Sequence, residues 1–111
     1  MLEEKTDAMY AHLRNEDIAA FNEGRKNGEP VDLSNAKFRA FDLRGAELSG
    51  LDLSGSYFKN TDLRGADLRG CNLDGCSLLN AKISGVYFPP ELSAEEIKLS
   101  LTQGTRLRMK R

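Results

Sequence analysis

Residues 31–90 read VDLSN AKFRA FDLRG AELSG LDLSG SYFKN TDLRG ADLRG CNLDG CSLLN AKISG VYFPP, twelve five-residue units in unbroken register. The third position of every unit is a large apolar residue: Leu33, Phe38, Leu43, Leu48, Leu53, Phe58, Leu63, Leu68, Leu73, Leu78, Ile83 and Phe88. The first position is small or apolar, from Val31 and Ala36 through Cys71 and Cys76 to Val86. None of these 24 positions is charged, although 30% of the chain is. A helix repeats every 3.6 residues and a strand every 2, so a period of five is neither. Two inward residues separated by one outward residue describe a short extended segment, and a bend must follow at the fourth and fifth positions. Gly or Asn fills the fifth position in ten of twelve units. These are the residues that tolerate the positive φ several turns demand. A chain that alternates extended segment and turn winds into a coil.

Units such as ADLRG, TDLRG, LDLSG and AELSG resemble the pentapeptide repeat family, whose pattern is A(D/N)LXX. The resemblance covers 60 of 111 residues. It implies a right-handed quadrilateral β-helix with four units per coil, first and third positions facing inward, and hence about three coils. Ala40 and Pro90 stand where a turn residue is expected. Phe41 is large for a first position and is expected to fill space beside Thr61, one coil above. Strands stacked ~4.8 Å apart make a stub about 10–15 Å tall. Its end coils would present unpaired backbone, so terminal caps are expected.

The flanks supply candidates, which divides the chain into an N-terminal helical cap (1–30), the β-helix (31–90) and a C-terminal capping helix with a basic tail (91–111). Leu2, Met9 and Leu13 fall at helical spacing, and Asn15 is a candidate N-cap for a second helix carrying Ile18 and Phe21 on one face. Gly28 and Pro30 would stop that helix. The segment DIAAFNEGRKNGEPVDLS resembles the helical lead-in of pentapeptide arrays, which implies Phe21 as the plug of the open end. After Pro89–Pro90, Ser93 and Glu96 form an S-x-x-E capping box for a helix through Ile97, Leu99 and Leu101 to Gly104. The tail RLRMKR carries four bases. It reads as a grip for nucleic acid or an anionic surface, as a solubilising terminus, or as a short strand with Leu107 and Met109 inward.

Composition limits the function. No apolar run is long enough to span a membrane, and MLEEKTDAMY lacks the form of a secretory signal, so a cytoplasmic protein is expected. Net charge is −3 over residues 1–30, 0 over 31–90 and +2 over 91–111. That matches neither a basic nucleic-acid binder nor a strongly acidic mimic of DNA. Cys71 and Cys76, five residues apart without further Cys or His partners, read as buried thiols and not as zinc ligands. His12, the single histidine, has no nucleophile in sensible relation to it, and no glycine-rich phosphate loop exists. No catalytic, metal or cofactor residues are assigned.

With four units per coil, the outward residues sort onto four walls. Wall one carries Asp32, Asp52 and Asp74; wall two Lys37, Arg39 and Lys59 with Tyr57 and Leu79; wall three Asp42, Arg44, Asp62, Arg64 and Lys82; wall four Glu47, Asp67, Arg69 and Tyr87. Wall two combines base, aromatic and aliphatic character, the profile of an interface for an acidic partner or a second copy of the chain. A non-enzymatic protein-interaction scaffold is therefore the expected function, with an unidentified protein partner and a homodimer as an open alternative. Nucleic acid, membrane and small-molecule partners are not expected. The resemblance also implies one alternative, a DNA-mimic modulator of DNA gyrase, and the short stack with exposed ends offers another, a structural oligomerisation module.

Overall fold

The computed structural model describes Lys5 and residues 7–110, so Leu2 of the predicted first helix and Arg111 of the basic tail lie outside the described residues. Three helices flank the repeat: α1 (Ala8–Arg14), α2 (Ile18–Lys26) and α3 (Ala94–Gln103). Between α2 and α3 the backbone bends every five residues. Each bend places its fifth-position residue at positive φ, from Asn35 (52°) and Ala40 (61°) through the glycines to Gly85 (72°). Only two or three residues separate successive bends, too few for a regular strand. Among the described residues, pairing accordingly takes the form of isolated parallel bridges, Lys37–Tyr57, Asp42–Asp62, Asp52–Asn72, Tyr57–Ser77, Asp62–Lys82 and Asp67–Tyr87. Every bridge joins second positions 20 residues apart, so four units make one coil and each coil lies on the one before.

Around each bridge the hydrogen bonds repeat. Leu63 N–H donates to Lys82 O (2.9 Å), Lys82 N–H to Thr61 O (2.9 Å) and Gly65 N–H to Ser84 O (2.9 Å). Third-position residues from Leu33 to Leu78 are all buried, and Phe38 stacks on Phe58 with ring centroids 5.0 Å apart and planes at 8°. Some first positions add a bond of their own. The hydroxyls of Ser56 and Thr61 donate to Leu33 O and Phe38 O, and the thiols of Cys71 and Cys76 to Leu48 O and Leu53 O, always 23 residues back. The two cysteines are thus buried thiols with a hydrogen-bonding role beyond packing.

The second-position Asp or Asn has a structural task as well. Its side-chain oxygen accepts the N–H two residues on, closing an Asx turn before the bend. Asp32, Asp42, Asp52, Asp62, Asp67 and Asn72 do this for Ser34, Arg44, Ser54, Arg64, Arg69 and Asp74.

Side chains from the N-terminal helices meet the unpaired backbone of the first coil. Asn22 bonds Gly45 O and Glu47 N–H, Arg25 bonds Glu47 O and Ser49 O, Asp7 accepts from Asp32 N–H, and the Tyr10 hydroxyl donates to Lys37 O. Phe21 on α2 is fully buried. Tyr10, which the spacing argument passed over, packs its ring against Phe38 and Phe41. Phe41 lies beneath Thr61, its carbonyl accepting from Asp62 N–H, with its ring edge-on to Phe38. The N-cap of α2 is Asp17 and not Asn15: Asp17 Oδ1 accepts from Ala20 N–H, and Asn15 instead caps the C-terminus of α1. Glu16, at a φ of 59°, breaks the chain between the two helices.

At the far end Ser93 caps α3 by accepting from Glu96 N–H, and Gly104 ends it at a φ of 72°. Only half of the capping box forms, because the Glu96 carboxylate turns to Arg108 (2.8 Å). The tail then runs over units nine and ten, held by backbone hydrogen bonds without forming a regular strand. Gly75 N–H donates to Leu107 O, Leu107 N–H to Cys76 O, and Met109 N–H to Asp74. Leu107 is buried. Units eleven and twelve receive less cover, and Ile83, Val86 and Phe88 are half-buried where their counterparts one coil below, Leu63, Ala66 and Leu68, are buried.

Candidate interaction wall

The 20-residue register brings the five wall-two residues together. Lys37, Tyr57 and Ser77 stack as one column through their bridges. Arg39, Lys59 and Leu79 form the second column, with Ala40 N–H donating to Lys59 O and Asn60 N–H to Leu79 O. Lys37 and Arg39 are exposed, whereas Tyr57, Lys59 and Leu79 are half-buried. Ser77 is buried, its hydroxyl bonded to Gly104 O, and Leu79 lies alongside Gly104. The first two coils of this wall therefore carry its charge, and the third is uncharged, with Leu79 at its surface, and abuts the α3 C-cap.

Elsewhere the repeat neutralises several of its own charges, although Glu47, Asp52 and Lys82 have no ion pair among the described residues. In units three, seven and eight the second-position Asp takes a bidentate pair from the fourth-position Arg: Asp42–Arg44, Asp62–Arg64 and Asp67–Arg69, at 2.7–2.9 Å. Arg44 also reaches Asp62 in the next coil at 3.4 Å. The guanidinium hydrogen bonds hold the carboxyls of Asp62 and Asp67 at about 2, and Asp42 is lowered by the same cause. Arg69 lies under the Tyr87 ring, 4.7 Å from its centroid. On wall one, Asp32 is held by Lys5 and Ser34. Among the described residues no ion pair reaches Lys37, Arg39 or Lys59. Wall two is also the wall with no Asx turn in any of its three units, because Lys37, Tyr57 and Ser77 occupy the turn-forming position. No side chain accepts the N–H of Arg39, Lys59 or Leu79 among the described residues. The sequence shows which residues fill the second position. The loss of the turn bond became visible only when that bond was seen in the other units.

The basic tail is largely engaged. Arg106 donates to Gly75 O (2.7 Å) and Gly55 O (3.3 Å), and Arg108 pairs with Glu96. His12 is half-buried in the last turn of α1. Burial pushes the Cys71 thiol up and takes Cys76 to about 12, which removes thiolate character at neutral pH. Among the described residues no three His, Cys, Asp or Glu side chains gather in a metal-binding set, and no helix is long and apolar enough to cross a membrane. A hollow of about 410 Å³ opens to solvent between Gly70, Cys71, Asn72, Glu91, Met109 and Lys110. It pairs a buried, proton-retaining thiol with exposed Glu91 and Lys110, a poor set for catalysis.

No curated protein and no solved structure matches the chain. The family model for pentapeptide repeats does match, with eight copies over residues 31–65 and 52–88. With that match spanning more than half of the chain, and with bends every five residues and bridges every 20, the protein belongs to the pentapeptide repeat family.

Proposed function

We propose that this protein is a small, non-enzymatic protein-interaction scaffold, a right-handed quadrilateral β-helix closed by segments 1–30 and 91–111, with wall two as its contact surface. The observation that carries this reading is the exception wall two makes to the repeat. Walls one, three and four use their second-position Asp or Asn to close turns in at least one unit each, and their arginines pair with these acids. Wall two forgoes both, leaving three unneutralised cations beside Tyr57 and Leu79. Local departures from folding rules concentrate where a surface serves something other than folding. Imitation of DNA has less support, because a duplex presents one charge every ~1.7 Å and three of the repeat's acids are neutralised in place by arginine.

Affinity capture from native extract with the wild type and with K37E/R39E/K59E tests the proposal. Specific partners retained by the wild type should be lost by the charge-reversed variant at equal folded concentration. Identical capture by both proteins would rule out wall two as the contact surface.

A further inference from the structure

We infer that wall two receives an acidic segment of a partner polypeptide, running along the stack, with carboxylates over Lys37, Arg39 and Lys59 and an apolar side chain over Tyr57 and Leu79. The inference rests on the scaffold reading and adds the chemistry and polarity of the partner.

The layout of the wall sets that polarity. Lys37 and Arg39 stand two residues apart in one unit, about 6.5–7 Å along extended backbone. Lys59 sits one coil above Arg39, about 4.8 Å away, with Tyr57 beside it over Lys37. Leu79 follows one coil further, half-covered by Gly104. Charge thus gives way to apolar surface from the N-terminal coil to the C-terminal coil. A ligand matching both halves carries its acids at one end and a hydrophobic residue at the other.

The neighbouring walls discriminate between anionic partners. Wall one carries Asp32, Asp52 and Asp74 and no base, so the cationic strip has an acidic flank on that side, whereas on wall three Asp42 and Asp62 are paired with Arg44 and Arg64. A duplex wide enough to cover wall one as well would bring phosphates against Asp52, whereas a single polypeptide can follow wall two alone. A second copy of this chain is a poor occupant. Its acidic wall one already commits Asp32 to Lys5 and Asp74 to the Met109 N–H, which leaves Asp52 as the main acid to meet three cations.

Fluorescence anisotropy on the full chain tests this, using as probe a labelled synthetic decapeptide with four consecutive glutamates followed by leucine and phenylalanine. Saturable binding is expected, weakened at least about tenfold by K37E/R39E/K59E and about three- to tenfold by Y57A/L79A, and falling with added salt. K82E/K98E/K110E, with the same change in net charge on other surfaces, should bind as the wild type does. Circular dichroism melts establish that each variant is folded. Equal binding by the wall-two and control variants would overturn the inference, as would tighter binding of a single-stranded oligonucleotide of equal charge, or no binding of the peptide at millimolar concentration. If the peptide fails while capture from extract still depends on wall two, the acidic class falls and the scaffold reading stands. If capture is also independent of the wall, both fall.

Discussion

Ala40 occupies a bend at a φ of 61°, where other units place Gly or Asn. A Cβ is strained in that region and glycine is not. Ala40→Gly should therefore stabilise the fold by about 1 kcal/mol, read as an upward shift of the urea midpoint with an unchanged slope. Cys76 makes the opposite kind of case, a group whose burial ties stability to pH. Its thiol is pushed from 9.0 to about 12 by desolvation, so the folded state keeps its proton where the unfolded chain loses it. The contribution is intact below pH 9 and is lost as pH rises from there towards 12. Urea midpoints measured between pH 7.5 and 10.5 should fall more steeply for the wild type than for Cys76→Ser, which keeps a donor for Leu53 O. The inward placement of both cysteines follows from counting in fives. Their bonds to carbonyls one coil back depend on the depth of the stack, which no local pattern records.

Among the elements, the caps separate what pattern can show from what it cannot. Ser93 and Gly104 bound α3 as their residue types require. The Asn15 expectation failed because Asn15 and Asp17 are both good caps, and the left-handed Glu16 between them decides which helix each serves. The tail was open to three readings on composition alone. It lies against the coil without forming a regular strand, because the rims of units nine and ten offer unpaired backbone that Leu107 can meet while burying its side chain. Leu107→Ala should cost about 2–5 kcal/mol, well above the effect of shortening an exposed tail, and differential scanning calorimetry would register it. A loss below about 0.5 kcal/mol would mean that the docked tail contributes little. Tyr10 escaped the sequence reading because a tyrosine in a short helix gives no sign that its ring will sit under Phe38.

For the molecule as a whole, the paired carboxylates set the response to acid. Asp62 and Asp67 titrate at about 2 in the fold against 3.8 unfolded, and Asp42, Asp32 and Glu96 are lowered as well. Depressed carboxyls contribute stability that is present above pH 4 and is lost as pH falls towards 2. Melting temperature should decline over that window, with a smaller decline in D62N/D67N and in high salt, since these pairs are at the surface. An identical profile for the variant would assign acid sensitivity to other groups.

The amino-acid sequence by itself determined the period, the inward residues and the bends, because each of these depends only on spacing and residue type; the grouping of outward residues onto walls also needed the four units per coil that the family resemblance implies. Tertiary structure decided the rest. It decided which charges are neutralised, since Arg44 and Asp62 meet only across coils. It decided which side chains close the ends, since Asn22, Arg25 and Leu107 act on backbone more than 20 residues away. It also left Lys37, Arg39 and Lys59 without the acids that the same repeat supplies to its other arginines. A wall is legible from counting in fives once four units are taken to close a coil, but whether its charge is spent within the fold depends on distances that only stacking creates.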